Sequence, residues 1–343
     1  MIETFPNSFE LELPSGELLA YIEAGARLNF PPPTTKINEF DAERLRSYHL
    51  PPKPDRNTAP RAYQNWLRAV SEPLSFPKTR DPRELFRVLP LSLLADPGVR
   101  TVSSSNWSGG FVTPRDRRSI GLVQAQWTVP TIRAEDPDRL HAFSAWVGLD
   151  GYVSSTQSMP QTGVWHGQIP LSNMPIQLAW WQWWLKPDKT SRFVFIPGVA
   201  VRAADPVYAQ VQEIDRSTCN FFIKNMRSGA AFSMDFTLPN PFREGTRSYD
   251  LSVEGRTAEW IVERPMVPGV QPQLADFNEL TFVDCAAGVH DRGSSSGPIH
   301  DLPLDRMRLI RLNDWEDRDT PGRLASRPSH RQDDQVFLEY IHR

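Results

Sequence analysis

From "VRTVSSSNWSGG" onward the chain breaks into short runs in which apolar and polar residues alternate, separated by Gly, Pro, Asn and Asp. "GLVQAQWTV", "HAFSAWVGL", "TGVWHG", "QLAWWQWWL", "YAQVQEI", "CNFFIKNM", "AFSMDFTL", "TAEWIVER", "LTFVD", "RMRLIRL" and "QVFLEYI" all follow this pattern, and no convincing helical period interrupts them. Period-two runs with turn residues between them predict an antiparallel β-sandwich or barrel rather than alternating helices and strands. The stretch 313–335, "NDWEDRDTPGRLASRPSHRQDDQ", reads as a long polar loop before the last strand.

Residues 1–100 have a different texture. They hold fourteen of the 32 prolines but one of the 11 tryptophans, and thirteen basic residues balance thirteen acidic ones. "TAPRAYQNWLRAVSE" predicts a helix with Thr58 as N-cap, Pro60 in the first turn, and Tyr63, Trp66, Leu67 and Val70 on one face. "DAERLRSYHL" predicts a shorter helix, and "PPPTT" and "PPKP" read as extended connectors. The expected division is a partly helical segment over 1–100 and an all-β domain over 101–343.

Several function classes are disfavoured. A net charge of −3 gives no reason to expect nucleic acid or an anionic membrane as partner. No run approaches the ~18 apolar residues of a membrane helix. "MIETFPNSFELELP" has acids and no apolar core, so it does not read as a secretory signal, and the compartment stays open. Cys219 and Cys285 are expected as buried free thiols, a single bridge between them being the other reading. The histidines show no H-x-x-x-H pair and none stands at zinc-ligand spacing from the cysteines, so no metal or other cofactor is expected. "GSSSG", 293–297, formally matches a nucleophile elbow, but Pro298 follows where that motif needs a helix, so it reads as a loop. "NWS", 106–108, is a glycosylation sequon that means nothing without export.

The run 177–187, "QLAWWQWWLKP", packs four tryptophans into five positions. As a strand it sends Ala179, Trp181, Trp183 and Leu185 to one face and Trp180, Gln182 and Trp184 to the other. The first set is an ordinary core face. Two indoles flanking an amide make a poor core, because a buried amide needs partners, so the second set is expected to line a groove. In "TAEWIVERP", Glu259, Ile261 and Glu263 share one face. Four residues of strand span about 13 Å, too far for the carboxyl pair of a glycosidase, which needs less than about 10 Å. One glutamate must therefore act alone or with a different kind of partner. Gln161, in "SMPQTGV", is a candidate partner and otherwise a turn-stabilising amide.

The ordered set "NWSGG", "QWTVP", "SAWVGLDG", "PQTGV", "AWWQWW", "TAEWIVE" and "ADFNELTF" resembles the glutamic peptidases, the eqolisin family, over roughly 104–285. The resemblance implies a concanavalin-like sandwich of two antiparallel sheets of about seven strands each. It implies a metal-free endopeptidase with a catalytic pair, Gln161 of the Q-T-G segment and Glu259 of the A-E-W-I-V-E segment. Glu259 would activate water as general base and Gln161 would stabilise the oxyanion. Trp180, Gln182 and Trp184 would line the substrate groove, with Trp107 and Asp150 as further binding positions. The partner implied is a polypeptide substrate, and the chain is read as a monomer.

Two departures stand out. The family's aromatic strand usually carries a glutamate where this chain has Gln182, and an aspartate near the Q-T-G segment is replaced, Val164 and Trp165 standing there. Extreme acid optima go with clustered carboxylates, so a less acidic optimum than usual in the family is expected, still on the acidic side. Residues 1–100 stand where the family carries a removable propeptide, which implies intramolecular inhibition; the other reading is a permanent accessory layer. The rival functional reading is a non-catalytic carbohydrate- or peptide-binding sandwich that stacks ligands on the tryptophans.

Overall fold

A computed structural model describes residues 12–341 apart from 33–34, 72, 89–102, 154, 169–174, 187–192, 245, 266–271, 292–293, 295–296, 314–322, 331 and 333. Fourteen strands of five residues or more carry the fold: β1 Trp107–Val112, β2 Ile120–Thr128, β3 His141–Leu149, β4 Ser158–Gln168, β5 Ile176–Leu185, β6 Val194–Ala200, β7 Pro206–Asp215, β8 Thr218–Asn225, β9 Ala231–Thr237, β10 Ala258–Glu263, β11 Glu279–His290, β12 Arg308–Asn313, β13 Leu324–His330 and β14 Val336–Tyr340. All pairings among them are antiparallel, in the order β12–β1–β10–β3–β4–β5–β6 on one side. On the other side the order is β9–β8–β7–β2–β11–β14–β13–β12. β12 pairs into both runs, which join in one large sheet system.

Every run with a period-two pattern is a strand. Three strands escape that pattern. Gly109 and Gly110 interrupt β1, and Pro197 and Gly198 interrupt β6. The third is a correction: Leu324–His330, read from sequence as part of a polar loop, is β13, with Pro328 opposite Leu338 and the Ser326 hydroxyl on Ser108 at 2.9 Å. Cross-strand pairing, not apolar alternation, makes it a strand. The "GSSSG" loop lies largely outside the described residues.

The core follows from the alternation. Ala179, Trp181, Trp183 and Leu185 of β5 join Val147, Val262, Val211 and Phe221 in one apolar cluster drawn from both runs of strands. Trp181 meets Phe221 and Phe236 at ring-centroid distances of 5.5 and 5.1 Å. Both cysteines are free and buried. No helix among the described residues is long and apolar enough to cross a membrane.

Residues 12–88 wrap this body. They include α1 Gly16–Gly25, α2 Ala42–Ser47, α3 Pro60–Val70 and α4 Pro82–Leu85. Ala26–Arg27 pairs with Asp235–Phe236 on β9, and Arg87 bridges Phe195 on β6, so the segment covers an edge of each run. Ile22, Phe30, Leu85 and Phe86 belong to the main core, with Phe86 edge-on to Trp181 at 6.0 Å. α2 and α3 lie on the outward face of β7–β9, where Leu45, Leu50 and Trp66 pack on Tyr208, Phe222 and Ala231. There the buried Lys224 ammonium donates to the carbonyls of Ala69 and Ser71 at 2.9 and 2.7 Å.

α3 begins two residues later than its expected cap. Ala59 holds the N-cap position, and the Thr58 hydroxyl donates instead to the Ile299 carbonyl at 2.8 Å. The capping oxygens come from far along the chain: the Asp301 carboxylate accepts from the Arg61 and Ala62 N–H groups at 2.7 and 3.2 Å. A carboxylate there also complements the helix dipole.

His166, on the core side of β4, stacks on Phe143 with ring centroids 4.3 Å apart, and neither ring nitrogen has a hydrogen-bond partner among the described residues. Burial pushes its pKa down to about 3. Unfolding frees it to take a proton near the ordinary histidine value of 6.5, so stability is lost as pH falls from about 6.5 towards 3. The loss is on the order of 5 kcal/mol over that window. His166→Phe is expected to flatten the decline of Tm between pH 6.5 and 3.5; an unchanged slope would show that other groups set acid stability.

Candidate active site

The register of the strands puts Gln161 and Glu259 in one row with a single strand between them. Gln182 of β5 lies opposite Gln161 of β4, Gln161 opposite Gly148 of β3, Gly148 opposite Glu259 of β10, Glu259 opposite Phe111 of β1, and Phe111 opposite Arg308 of β12. These six residues form one transverse row, and equivalent positions in a row share a face. Gln161 and Glu259 are two strand spacings apart, about 9.6 Å between backbones. The space over Gly148 is taken by the Trp146 ring: a Cβ there would come within 2.9 Å of that ring and 3.2 Å of the Gln161 Cβ. The glycine therefore admits that ring between amide and carboxyl, and a reacting group reaches the gap only when the ring moves aside.

Gln161 donates from Nε2 to Gln182 Oε1 at 2.8 Å. An amide nitrogen carries two hydrogens, so one N–H remains. Gln161 Oε1 and Gln182 Nε2 have no partner among the described residues. Both Glu259 oxygens are likewise buried without a hydrogen bond of good geometry. Burial pushes the Glu259 carboxyl well above the usual carboxylate range, and the charge of Asp150 adds to this, whereas the Thr257 hydroxyl and the Tyr152 backbone pull it back. A carboxyl held this way keeps its proton to higher pH than an exposed one and ionises more readily once water or a polar partner reaches it.

The aromatic residues around the row are covered. Trp180 and Trp184 share the Gln182 face as the alternation requires, but they are 0% and 8% exposed, and Phe193 sits 4.1 Å from the Trp180 ring. The Trp180 indole donates to Ser144 Oγ at 2.8 Å. The open indole-lined groove expected from sequence is thus a closed face in this structure, because aromatic side chains from β1, β3, β4 and β6 pack across it. Trp107 is buried on the same face, edge-on to Trp146 at 5.2 Å. Trp146 in turn donates to Glu263 Oε2 at 2.9 Å, so the second glutamate of β10 is a structural anchor at the far end of the strand. The sequon residue Asn106 is buried beside it, with Nδ2 3.5 Å from Glu263 Oε1.

Asp150 is placed differently from a groove residue. Its carboxylate accepts from the backbone N–H groups of Glu254, Gly255 and Arg256 at 2.8, 3.1 and 2.6 Å. It clamps the chain that leads into β10 and so fixes the approach of Glu259. Burial raises its pKa to about 6 against the pull of those three donors. Gly151 follows at φ +117, a conformation that needs glycine.

Sequence reading missed Gly148, Phe111, Tyr152 and Arg308. Phe111 carried a signal, lying four residues beyond Trp107 on the same strand face. Tyr152 stacks on it at 3.7 Å between centroids, and the Arg308 guanidinium lies over both rings. The described part of the N-terminal segment lies on the outward face of β7–β9 and along the strand edges, not over this row.

The sequence profile described as the Peptidase A4 family matches residues 105–306, more than half of the chain. The chain belongs to the Peptidase A4 family. The glutamic peptidases are this family, and membership makes the protein a hydrolase of peptide bonds, a glutamic endopeptidase. The match runs beyond the expected 104–285, taking in the end of β11 and stopping just before β12. Two crystal structures of scytalido-glutamic peptidase, with a peptide-based transition-state analogue and with a transition-state analogue inhibitor, align at TM-scores of 0.50 and 0.50. Identities are 18% and 20%, and each alignment covers 69% of this chain and 99% of the other. At that identity the likeness speaks for the fold. No curated protein matches the chain by sequence.

Proposed function

We propose that this glutamic peptidase cleaves polypeptides with Glu259 as general base and Gln161 as oxyanion donor. The observation that carries the reading is the row itself: an amide and a carboxyl, far apart in sequence, stand on either side of a glycine on one sheet face. Glu259 takes a proton from water as the oxygen attacks the scissile carbonyl carbon. The remaining Gln161 N–H donates to the oxygen that becomes negative, and Gln182 holds the amide in that orientation. Glu259 then passes the proton to the leaving nitrogen as the C–N bond breaks. Both groups are buried in this structure, so substrate entry requires their cover to open; the Trp146 ring, which lies over Gly148 between them, is part of that cover.

Two finer points belong to the same reading. The runs β12–β1–β10–β3–β4–β5–β6 and β9–β8–β7–β2–β11–β14–β13 each number seven strands and share one apolar core, which supports a concanavalin-like two-layer sandwich. Glu259 is the single acid in the catalytic row, which supports an optimum less acidic than carboxylate clustering gives; a pH–rate profile peaking below about pH 3 would contradict it.

The test is hydrolysis of a denatured protein at pH 3–6 in the presence of pepstatin. Gln161→Ala is expected to cut kcat/KM about 10²- to 10³-fold, the usual cost of losing one oxyanion donor. Undiminished cleavage by that variant would remove Gln161 from the mechanism.

A further inference from the structure

The row does not stop at the catalytic pair. On the side of Glu259 away from Gln161 it ends at Arg308, whose side chain is exposed. The guanidinium carbon lies 5.3 Å from the Phe111 ring centroid and 5.8 Å from that of Tyr152, the two rings being stacked on each other. Among the described residues no carboxylate pairs with it. The acid nearest in sequence, Asp305, is taken by Arg115 at 2.9 Å. A guanidinium lying over aromatic rings is held in place while the donors on its edge stay available, and their planar fork matches a carboxylate.

We propose that Arg308 is a specificity-determining residue that selects an acidic side chain in the polypeptide substrate. The inference rests on the Gln161–Glu259 reading for the position of the scissile bond. From Gly148 to Arg308 is three strand spacings, about 14 Å, and an extended peptide advances about 3.3 Å per residue. Allowing for the reach of both side chains, the acidic residue falls roughly two to four residues from the bond cleaved. The chemistry of the row favours this partner over a basic one. It holds one acid, Glu259, which is buried, and one exposed charge, the guanidinium.

The test uses the full chain and pairs of fluorogenic peptides identical except for Asp or Asn at the second, third and fourth positions on either side of the cleavable bond. Wild type is expected to prefer Asp at one of these positions by about three- to tenfold in kcat/KM at low salt, less at high salt. Arg308→Ala should bring that ratio near one, and Arg308→Glu should push it below one. The Glu259→Gln protein titrated with the same peptides reads binding without turnover, and the Asp peptide should bind more tightly by the same factor. Turnover whose Asp/Asn ratio ignores both Arg308 variants at every position overturns the inference and leaves the catalytic pair standing. Preferential binding without any turnover by wild type overturns the catalytic pair and leaves Arg308 standing. Neither turnover nor preferential binding overturns both.

Discussion

Glu259→Gln is expected to lower kcat/KM by about 10³-fold or more while making the protein harder to unfold at neutral pH. The first effect is the loss of a general base, typically 10²- to 10⁴-fold. The second follows from burial. The folded state raises the Glu259 pKa above the ordinary glutamate value of 4.5, so its contribution to stability is fully present below about pH 4.5 and is lost as pH rises through the folded value. An amide of the same shape carries no proton to lose. The Tm difference between variant and wild type should therefore widen from pH 4 to pH 7. Retained activity would take the carboxyl out of the chemistry, and a Tm gap that ignores pH would show that the group ionises freely in the fold.

A chain beginning at Ser103 is expected to lose cooperative folding. It would lack Ile22, Phe30, Leu85 and Phe86 from the main core and would bare Trp181 and Phe236. Four buried apolar side chains at about 1.5–3 kcal/mol each sum to roughly the whole stability of a domain. The polar anchors go as well, leaving the Lys224 ammonium and the Asp301 carboxylate without their backbone partners. Dye binding to exposed apolar surface and a lost thermal transition would report this. The two readings of residues 1–100 part here: after any cut between 89 and 102 a permanent layer stays bound on a sizing column at acidic pH, whereas a propeptide leaves. Elution of an active body free of residues 12–88 would decide for the propeptide.

Strand positions were legible because buried sheet faces impose alternation, and β5 wrote its two faces plainly in its tryptophans. Glu259 and Gln161 were legible through motif context. Their juxtaposition was not, since pairing register between strands a hundred residues apart leaves no local trace, and Gly148 looks like any glycine in a strand. The expected groove failed for a related reason. Alternation tells which residues share a face but not what covers that face, and here Trp180 and Trp184 are roofed by Phe193 and its neighbours. Helix α3 was visible from its apolar face, yet its start was misplaced because the cap is tertiary: Asp301 does the work that Thr58 was assigned. Helix α1, flanked by glycines and weakly patterned, gave no signal of comparable strength.

That distant cap has a consequence for biosynthesis. Residues 58–62 leave the ribosome some 240 positions ahead of the aspartate that completes their helix. The strands that the early segment drapes over are also translated after it. The nascent N-terminal stretch must wait, with Trp66 and Phe86 unsheltered, until the downstream barrel of hydrogen bonds exists to receive it, so slow synthesis or heat during translation should harm yield more than the same heat applied to the finished molecule.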